Sequence, residues 1–268
     1  MKSFREKYGP VALIAGASEG LGAAWAKALA SRGLDLVLIA RRASVLETLA
    51  VSLEAEYKIK TWPVCCDLAS PHAWDAIRLI IADKTVGCLV YNAAASYIGP
   101  FLDQPVATHL HIAAVNINAP LEIIQGLAQP MIERGRGGII LMSSLAGFQG
   151  SGFLATYAAS KAFTRVLAES LWYEWKSRGV DSIACCAGAT ATPNYIASRP
   201  RKLGFLAPRP QLPEEVVEEC LRKIGRTPSF VSGRGNKIAS FFMQYILPRK
   251  MAIRIMGDAT RKLYAVQD

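Results

Sequence analysis

Long apolar runs are missing from this chain: no segment offers the roughly 18 uninterrupted apolar residues that a membrane-spanning helix needs. The opening ten residues are charged throughout and contain no apolar stretch of signal-peptide length, so export is not expected and the expected location is cytoplasmic. Cysteine is sparse, with Cys65, Cys66, Cys88, Cys185, Cys186 and Cys220 mostly inside apolar runs and never at C-x-x-C spacing. That usage suits buried thiols in a reducing compartment and argues against a disulfide framework. Histidine is rarer still: His109 and His111 point to different faces of a helix, His72 stands apart, and no metal site is expected. Internal repeats, low-complexity tracts and nucleic-acid-binding motifs are absent as well, and no nucleic-acid partner is expected.

What is present is 268 residues, 51% of them hydrophobic, with a net charge of +10. That length fits one large α/β core, and residues 1–268 read as a single domain. Apolar, strand-like runs lie at Val11–Ala15, Leu36–Ala40, Thr61–Cys66, Cys88–Tyr91, Ile139–Met142 and Ser182–Cys186, with a last short one at Ser229–Ser232. Between them, Gly22–Ser31, Ala43–Tyr57, Pro71–Asp83, Val106–Glu133, Phe153–Lys176 and Glu214–Ile224 show helical apolar stripes. Continuous apolar strands alternating with helices predict a doubly wound, Rossmann-type parallel sheet of about seven strands with helices on both faces. Gly33 and Gly179 stand where helix C-caps are expected. Residues 189–213, with Pro193, Pro200, Pro208, Pro210 and Pro213, read as an irregular lid.

Gly16-Ala17-Ser18-Glu19-Gly20-Leu21-Gly22 follows the first strand and opens the first long helix, the place where such a sheet sets a pyrophosphate against backbone N–H groups. The second strand ends at Ala40 and is followed by Arg41 and Arg42. A carboxylate there would repel a 2′-phosphate, whereas two guanidiniums welcome it, so NADP is the expected cofactor. Two solvated arginines opening a helix are the competing reading.

Tyr157 and Lys161 are four residues apart on a helical pattern and share its face. An ammonium so placed can stabilise a phenolate and pull the tyrosine pKa down, making the phenol a proton donor to a carbonyl. An ordinary solvated i,i+4 pair would look the same in isolation. Taken with Gly16, Gly20, Gly22, Asp67, Asn92-Ala93, Asn116 and Ser144, however, the pair resembles the short-chain dehydrogenase/reductase family over residues 8–232. The resemblance implies a catalytic tetrad of Asn116, Ser144, Tyr157 and Lys161. It further implies cofactor contacts from Gly16, Ser18, Glu19, Gly20, Leu21, Gly22, Arg41, Arg42, Asp67, Leu68, Asn92, Ala93, Tyr157, Lys161, Gly188, Thr190 and Thr192. Ala15, Ala94 and Ala187 depart from the family's usual Thr, Gly and Pro, all on the cofactor side.

Within the family, Arg5–Gly9 and Ile253–Gly257 are similar to segments of bacterial 7β-hydroxysteroid dehydrogenases. That similarity implies a bulky lipophilic ketone or secondary alcohol as substrate, a hydroxysteroid or alternatively a 3-oxoacyl compound, and a homodimer or homotetramer. Tyr97, Phe101, Phe148, Phe153, Tyr195, Phe205 and Leu206 fall in loops that would line an apolar pocket. A non-catalytic NADP-binding redox sensor and a sugar-nucleotide epimerase are rival readings. The sensor would have no need of both Tyr157 and Lys161, and the epimerase would favour another glycine spacing.

Residues 199–268 carry 14 Lys/Arg against 6 Asp/Glu. In the basic extension 234–268, Ile238, Phe241, Phe242, Tyr245 and Ile246 recur at i, i+3, i+4, i+7 and i+8, giving one apolar helical face. Docking of that face on the chain's own lid or on a neighbouring subunit is the favoured expectation. A peripheral helix lying on an anionic membrane is the less favoured one.

Overall fold

The computed structural model describes residues 3–198 and 209–264; Pro200, Phe205, Leu206 and Pro208 lie outside them. Seven strands, β1 (Val11–Ala15), β2 (Asp35–Ala40), β3 (Thr61–Cys65), β4 (Val86–Tyr91), β5 (Gly137–Ser144), β6 (Val180–Ala187) and β7 (Ser229–Val231), form one sheet in the order β3-β2-β1-β4-β5-β6-β7. Every pairing is parallel, as the uninterrupted apolar strands predict.

Side chains alternate strictly across this sheet. Ala12, Ile14, Leu36, Leu38, Cys88, Val90, Ile140 and Met142 face one apolar cluster, and Leu13, Ala15, Val37, Ile39, Leu89, Ile139 and Leu141 face the other. The first cluster is closed by α2 (Leu21–Ala30), α3 (Ala43–Tyr57) and α9 (Pro213–Lys223); the second by α4 (Ala73–Ile81), α6 (Ala119–Glu133) and α7 (Ala155–Trp175). Each fully buried Leu or Ile in such a layer contributes roughly 1.5–3 kcal/mol of transfer free energy. The chain reverses direction between β3 and β4, which places a topological switch point between β1 and β4 at the strands' carboxyl ends.

At Gly33 the N–H bonds the Ala30 carbonyl at 2.8 Å and the Leu34 N–H bonds that of Leu29 at 3.2 Å, closing α2 in a Schellman turn with φ +76° at the glycine. Gly179 likewise takes φ +79°. The stretch Val106–Glu133 does not form the single helix that its periodicity predicts. It divides into α5 (Val106–Ala113), a π-helical turn at Ala114–Asn118, and α6. Pro120 is the reason: it has no N–H to give the Asn116 carbonyl, so the regular i→i−4 ladder cannot pass this point.

The C-terminal stripe is also interrupted. It runs through α10 (Arg234–Phe241) and a π-helical turn at Phe242–Ile246, stops at extended Leu247 before Pro248, and gives way to α11 (Arg249–Tyr264). Two shorter helices, α1 (Phe4–Tyr8) and α8 (Pro193–Ala197), complete the α-helices among the described residues.

Candidate active site

The glycine turn after β1 is tight enough to specify its residues. A Cβ on Gly22 would stand 1.9 Å from the Gly16 carbonyl oxygen, and one on Gly16, itself at φ +79°, would stand 2.7 Å from the Ala93 backbone. The Asn92 side chain donates to the Gly16 carbonyl at 2.9 Å, and the Asn92 and Ala93 N–H groups both bond Ala15 O. Asn92 and Ala93 thus brace the turn that carries the α2 N-terminus. Leu21 packs half-buried on the core.

Beside the turn, Arg42 donates to Ser18 Oγ at 3.2 Å and pairs with Glu19 at 2.9 Å. Arg41 is exposed and forms no ion pair among the described residues. Its carbonyl accepts from the Cys65 thiol at 3.3 Å, which fixes the end of β2 against β3. Asp67 is exposed and caps its own turn by accepting from the Ala69 N–H at 3.0 Å. The Leu68 side chain is buried in the core.

On the other side of the crevice, the Thr192 methyl closes over Gly20, where an added Cβ would lie 2.8 Å away. Gly188 is confined by Asn236, and Thr190 is buried and donates to the Gly188 carbonyl at 3.2 Å. The lid is stitched at its base, since Ala191 N–H bonds Gln211 O at 2.9 Å and Gln211 N–H bonds Ala189 O at 3.0 Å.

Asn116, Ser144, Tyr157 and Lys161 converge at the carboxyl ends of β4 and β5. The Asn116 amide does not bond its own helix, as helix-interior amides often do. The π-helical turn directs it to Ala95, whose N–H it accepts at 2.8 Å and whose carbonyl it bonds at 2.9 Å, and to Ser160 Oγ at 2.9 Å. Ser160 in turn donates to the Tyr157 carbonyl at 2.7 Å. The Ser144 hydroxyl lies close enough to the Tyr157 phenol to favour its ionised form.

The expected depression of the Tyr157 phenol is not found in this arrangement. Burial pushes its pKa up, the Ser144 hydroxyl opposes that, and neighbouring Tyr264 adds to the rise. The reason lies in Lys161, whose Nζ sits 5.6 Å over the Tyr157 ring centroid and donates to the Met142 carbonyl at 2.8 Å. Burial lowers the lysine itself to about 8, against a small opposing contribution from Cys186. A deprotonated tyrosine therefore needs the ammonium moved from Met142 toward the phenol.

Tyr157 opens onto a cavity lined by Tyr97, Gly99, Phe101, His109, Ile112, Phe153, Ala155 and Thr156. Of the loop aromatics expected there, Tyr97, Phe101 and Phe153 line it, whereas Phe148 stacks under Arg165, 4.9 Å away. Phe153 holds a left-handed backbone, φ +63°, a sparsely populated conformation for such a side chain, and its carbonyl accepts from Gly99 N–H at 2.9 Å. His109, set aside as a metal ligand, bridges the cavity wall to α7, with Nε2 2.9 Å from Phe101 O and Nδ1 2.8 Å from Thr156 Oγ1. Among the described residues no cluster of three metal-ligating side chains occurs.

Tyr264 is a neighbour of Tyr157 that sequence reading missed. It ends α11, beside Tyr157 and Tyr195, and burial raises its phenol. More than 100 residues separate it from Tyr157, and no local motif marks it. The rest of α11 packs on the same loop: Arg249 donates to Phe148 O at 2.8 Å, Gly257 backs onto Gly152, and Arg261 lies 5.3 Å over the Phe153 ring.

Known proteins share this arrangement. The chain is 30% identical over 235 residues to a 7β-hydroxysteroid dehydrogenase of Clostridium sardiniense, covering 88% of this chain and 90% of that protein. It is 33% identical over 225 residues to a very-long-chain 3-oxoacyl-CoA reductase of Phaeosphaeria nodorum, covering 82% and 64% respectively. A solved 7β-hydroxysteroid dehydrogenase superposes with a TM-score of 0.88 at 28% identity, over 95% of this chain and 99% of that one. The short chain dehydrogenase family profile matches residues 10–202, and with the glycine turn, the parallel sheet and the Ser144–Tyr157–Lys161 group in place the chain belongs to that family, an oxidoreductase acting on CH–OH and C=O groups.

Proposed function

We propose that this enzyme interconverts a bulky lipophilic ketone and its secondary alcohol with NADP(H), and that hydroxysteroids are the substrate class. The observation that carries the reading is the cavity beside Tyr157, walled by Tyr97, Phe101, Ile112 and Phe153. Aromatic and aliphatic walls beside the Tyr157 hydroxyl favour an apolar substrate whose reactive oxygen meets that hydroxyl.

The residues present fit a dinucleotide. Gly16, Gly20 and Gly22 let the turn pack tightly where an added Cβ would clash with Ala93, Thr192 or Gly16, at the N-terminus of α2, and Arg41 and Arg42 after β2 offer guanidiniums to a 2′-phosphate. A short-chain dehydrogenase of Sphingobium yanoikuyae solved with NADPH, 28% identical with a TM-score of 0.74 over 83% of this chain and 87% of that one, supports the same cofactor. When bound, the nicotinamide supplies or accepts the hydride.

The chain's own residues handle the oxygen and its proton. Ser144 Oγ and Tyr157 OH, neighbours in the site, both donate to the substrate carbonyl oxygen, and Tyr157 releases its proton as the alcohol forms. Lys161, leaving Met142 O, stabilises the resulting phenolate, and Asn116 holds the Ala95 loop and Ser160 in place beneath it.

The test is an initial-rate screen of the purified protein with NADP(H) and NAD(H) against steroids, bile acids, 3-oxoacyl thioesters and small aromatic ketones. Highest kcat/KM on a steroid with NADP(H) is expected. Comparable efficiency on acetone-sized ketones would reject the apolar pocket, and a preference for 3-oxoacyl thioesters would move the substrate class.

A further inference from the structure

α10, α11 and the π-helical turn between them present an apolar surface that the described chain leaves uncovered. Ile238, Phe241, Phe242, Tyr245 and Ile246 are between 51% and 72% exposed, and Met251 continues the patch at 50%. The aromatic rings cluster, with Phe241 6.1 Å from Phe242 and 5.4 Å from Tyr245. Docking on the lid, one branch of the expectation from sequence, involves residues 199–208, which lie outside the described residues.

Charge points to one kind of occupant. Residues 234–264 hold seven Arg/Lys and a single acidic residue, Asp258. Arg234, Lys250, Arg254 and Lys262 on the same two helices are exposed, while Lys237 pairs with Glu219. Whatever covers the patch must match both an apolar centre and an excess of positive charge, and so must itself be negatively charged. An anionic bilayer offers acyl chains to the aromatics and negative headgroups to the basic rim.

We propose that this surface is a peripheral membrane-binding face for anionic lipid bilayers. Because α11 also packs on the Phe148–Phe153 loop, docking there brings the crevice up to the lipid surface, where a lipophilic substrate partitions. That consequence rests on the proposed function; the binding itself does not.

The full-length protein is sedimented with vesicles of pure phosphatidylcholine and with vesicles containing phosphatidylserine. Binding to the anionic vesicles at low salt is expected, at least about tenfold stronger than to neutral ones, and lost near 1 M salt, where the Debye length falls to about 3 Å. Replacing the exposed rings together, Phe241→Ser, Phe242→Ser and Tyr245→Ser, should reduce vesicle binding at least about tenfold while kcat on a water-soluble ketone and the circular-dichroism melt stay at wild-type values. Lys250→Glu with Arg254→Glu should do the same through charge alone. Failure of the intact protein to sediment with anionic vesicles, or binding that survives both variants, overturns the proposal. So does a drop in oligomer size in the triple-Ser variant, by analytical ultracentrifugation, without any loss of vesicle binding, which would assign the patch to a second copy. Vesicle binding can succeed or fail whatever the substrate screen returns, so the two tests are distinguishable.

Discussion

Tyr157 and Lys161 are where the fold works against its own stability. Tyr157→Phe removes the proton donor and leaves the ring packing and the glycine turn unchanged. It is therefore expected to lower kcat by at least about 10²-fold with little change in NADPH affinity, measured by turnover and by nucleotide fluorescence. Lys161 makes a different prediction. Its folded pKa, about 8, lies below the ordinary 10.5, so between those values the unfolded chain binds more protons and stability rises with pH. Below about 8 the burial penalty is present in full, on the order of 3 kcal/mol. Lys161→Met abolishes turnover and also gives up the bond to Met142 O, a charged donor worth roughly 1.5–3 kcal/mol. The net expectation at pH 7 is a Tm equal to wild type or up to about 4 °C higher, the difference shrinking as pH approaches 10. A clear fall in Tm in differential scanning calorimetry would show that the lysine stabilises the fold.

Arg42 illustrates competition for one guanidinium. Its pairing with Glu19 is exposed and weak, so a phosphate can displace it. Arg42→Ala is expected to cost about 10- to 100-fold in NADPH affinity while affecting NADH little, and an unchanged NADP/NAD ratio would place the phosphate clamp elsewhere.

The π-helical turn before α6 shows a helix deliberately broken to aim one side chain. Pro120 withholds the N–H that a regular helix would give to Asn116 O, and the extra residue in the turn sends the Asn116 amide to Ala95 and Ser160. Pro120→Ala restores the donor and favours a regular helix, rotating Asn116 off its partners. The expected result is a fall in kcat of about tenfold or more with Tm within about 2 °C of wild type, since a proline removed from a kink often costs little fold stability. Activity at the wild-type level would mean that the turn has no part in positioning the site.

Across the molecule, the C-terminal segment packs against the loop that borders the site. α11 meets the loop before α7 at Phe148, Gly152 and Phe153 and carries Tyr264 to Tyr157. Truncation after Leu247 is expected to raise KM for bulky substrates by about tenfold, which corresponds to about 1.4 kcal/mol of lost contact, while cofactor affinity is kept. Steady-state kinetics on a large and a small ketone test it, and equal KM changes for both would assign α11 a merely structural role.

The strand runs, the glycine turn and the Tyr157–Lys161 spacing could be read from sequence because each follows from short-range periodicity or sterics: period two buries a strand on both faces, and a Cβ on Gly22 has no room. The all-parallel sheet followed from that alternation. The break at Asn116 was written locally in Pro120 but concealed by a stripe whose apolar residues fit one continuous helix. The direction of Lys161 toward Met142 O, the raised phenol of Tyr157, the His109 bridge from Phe101 to Thr156 and the arrival of Tyr264 beside the site were decided only in three dimensions. Each depends on which groups desolvate or touch one another across tens of residues, and desolvation and contact are properties of the packed chain that no local pattern records.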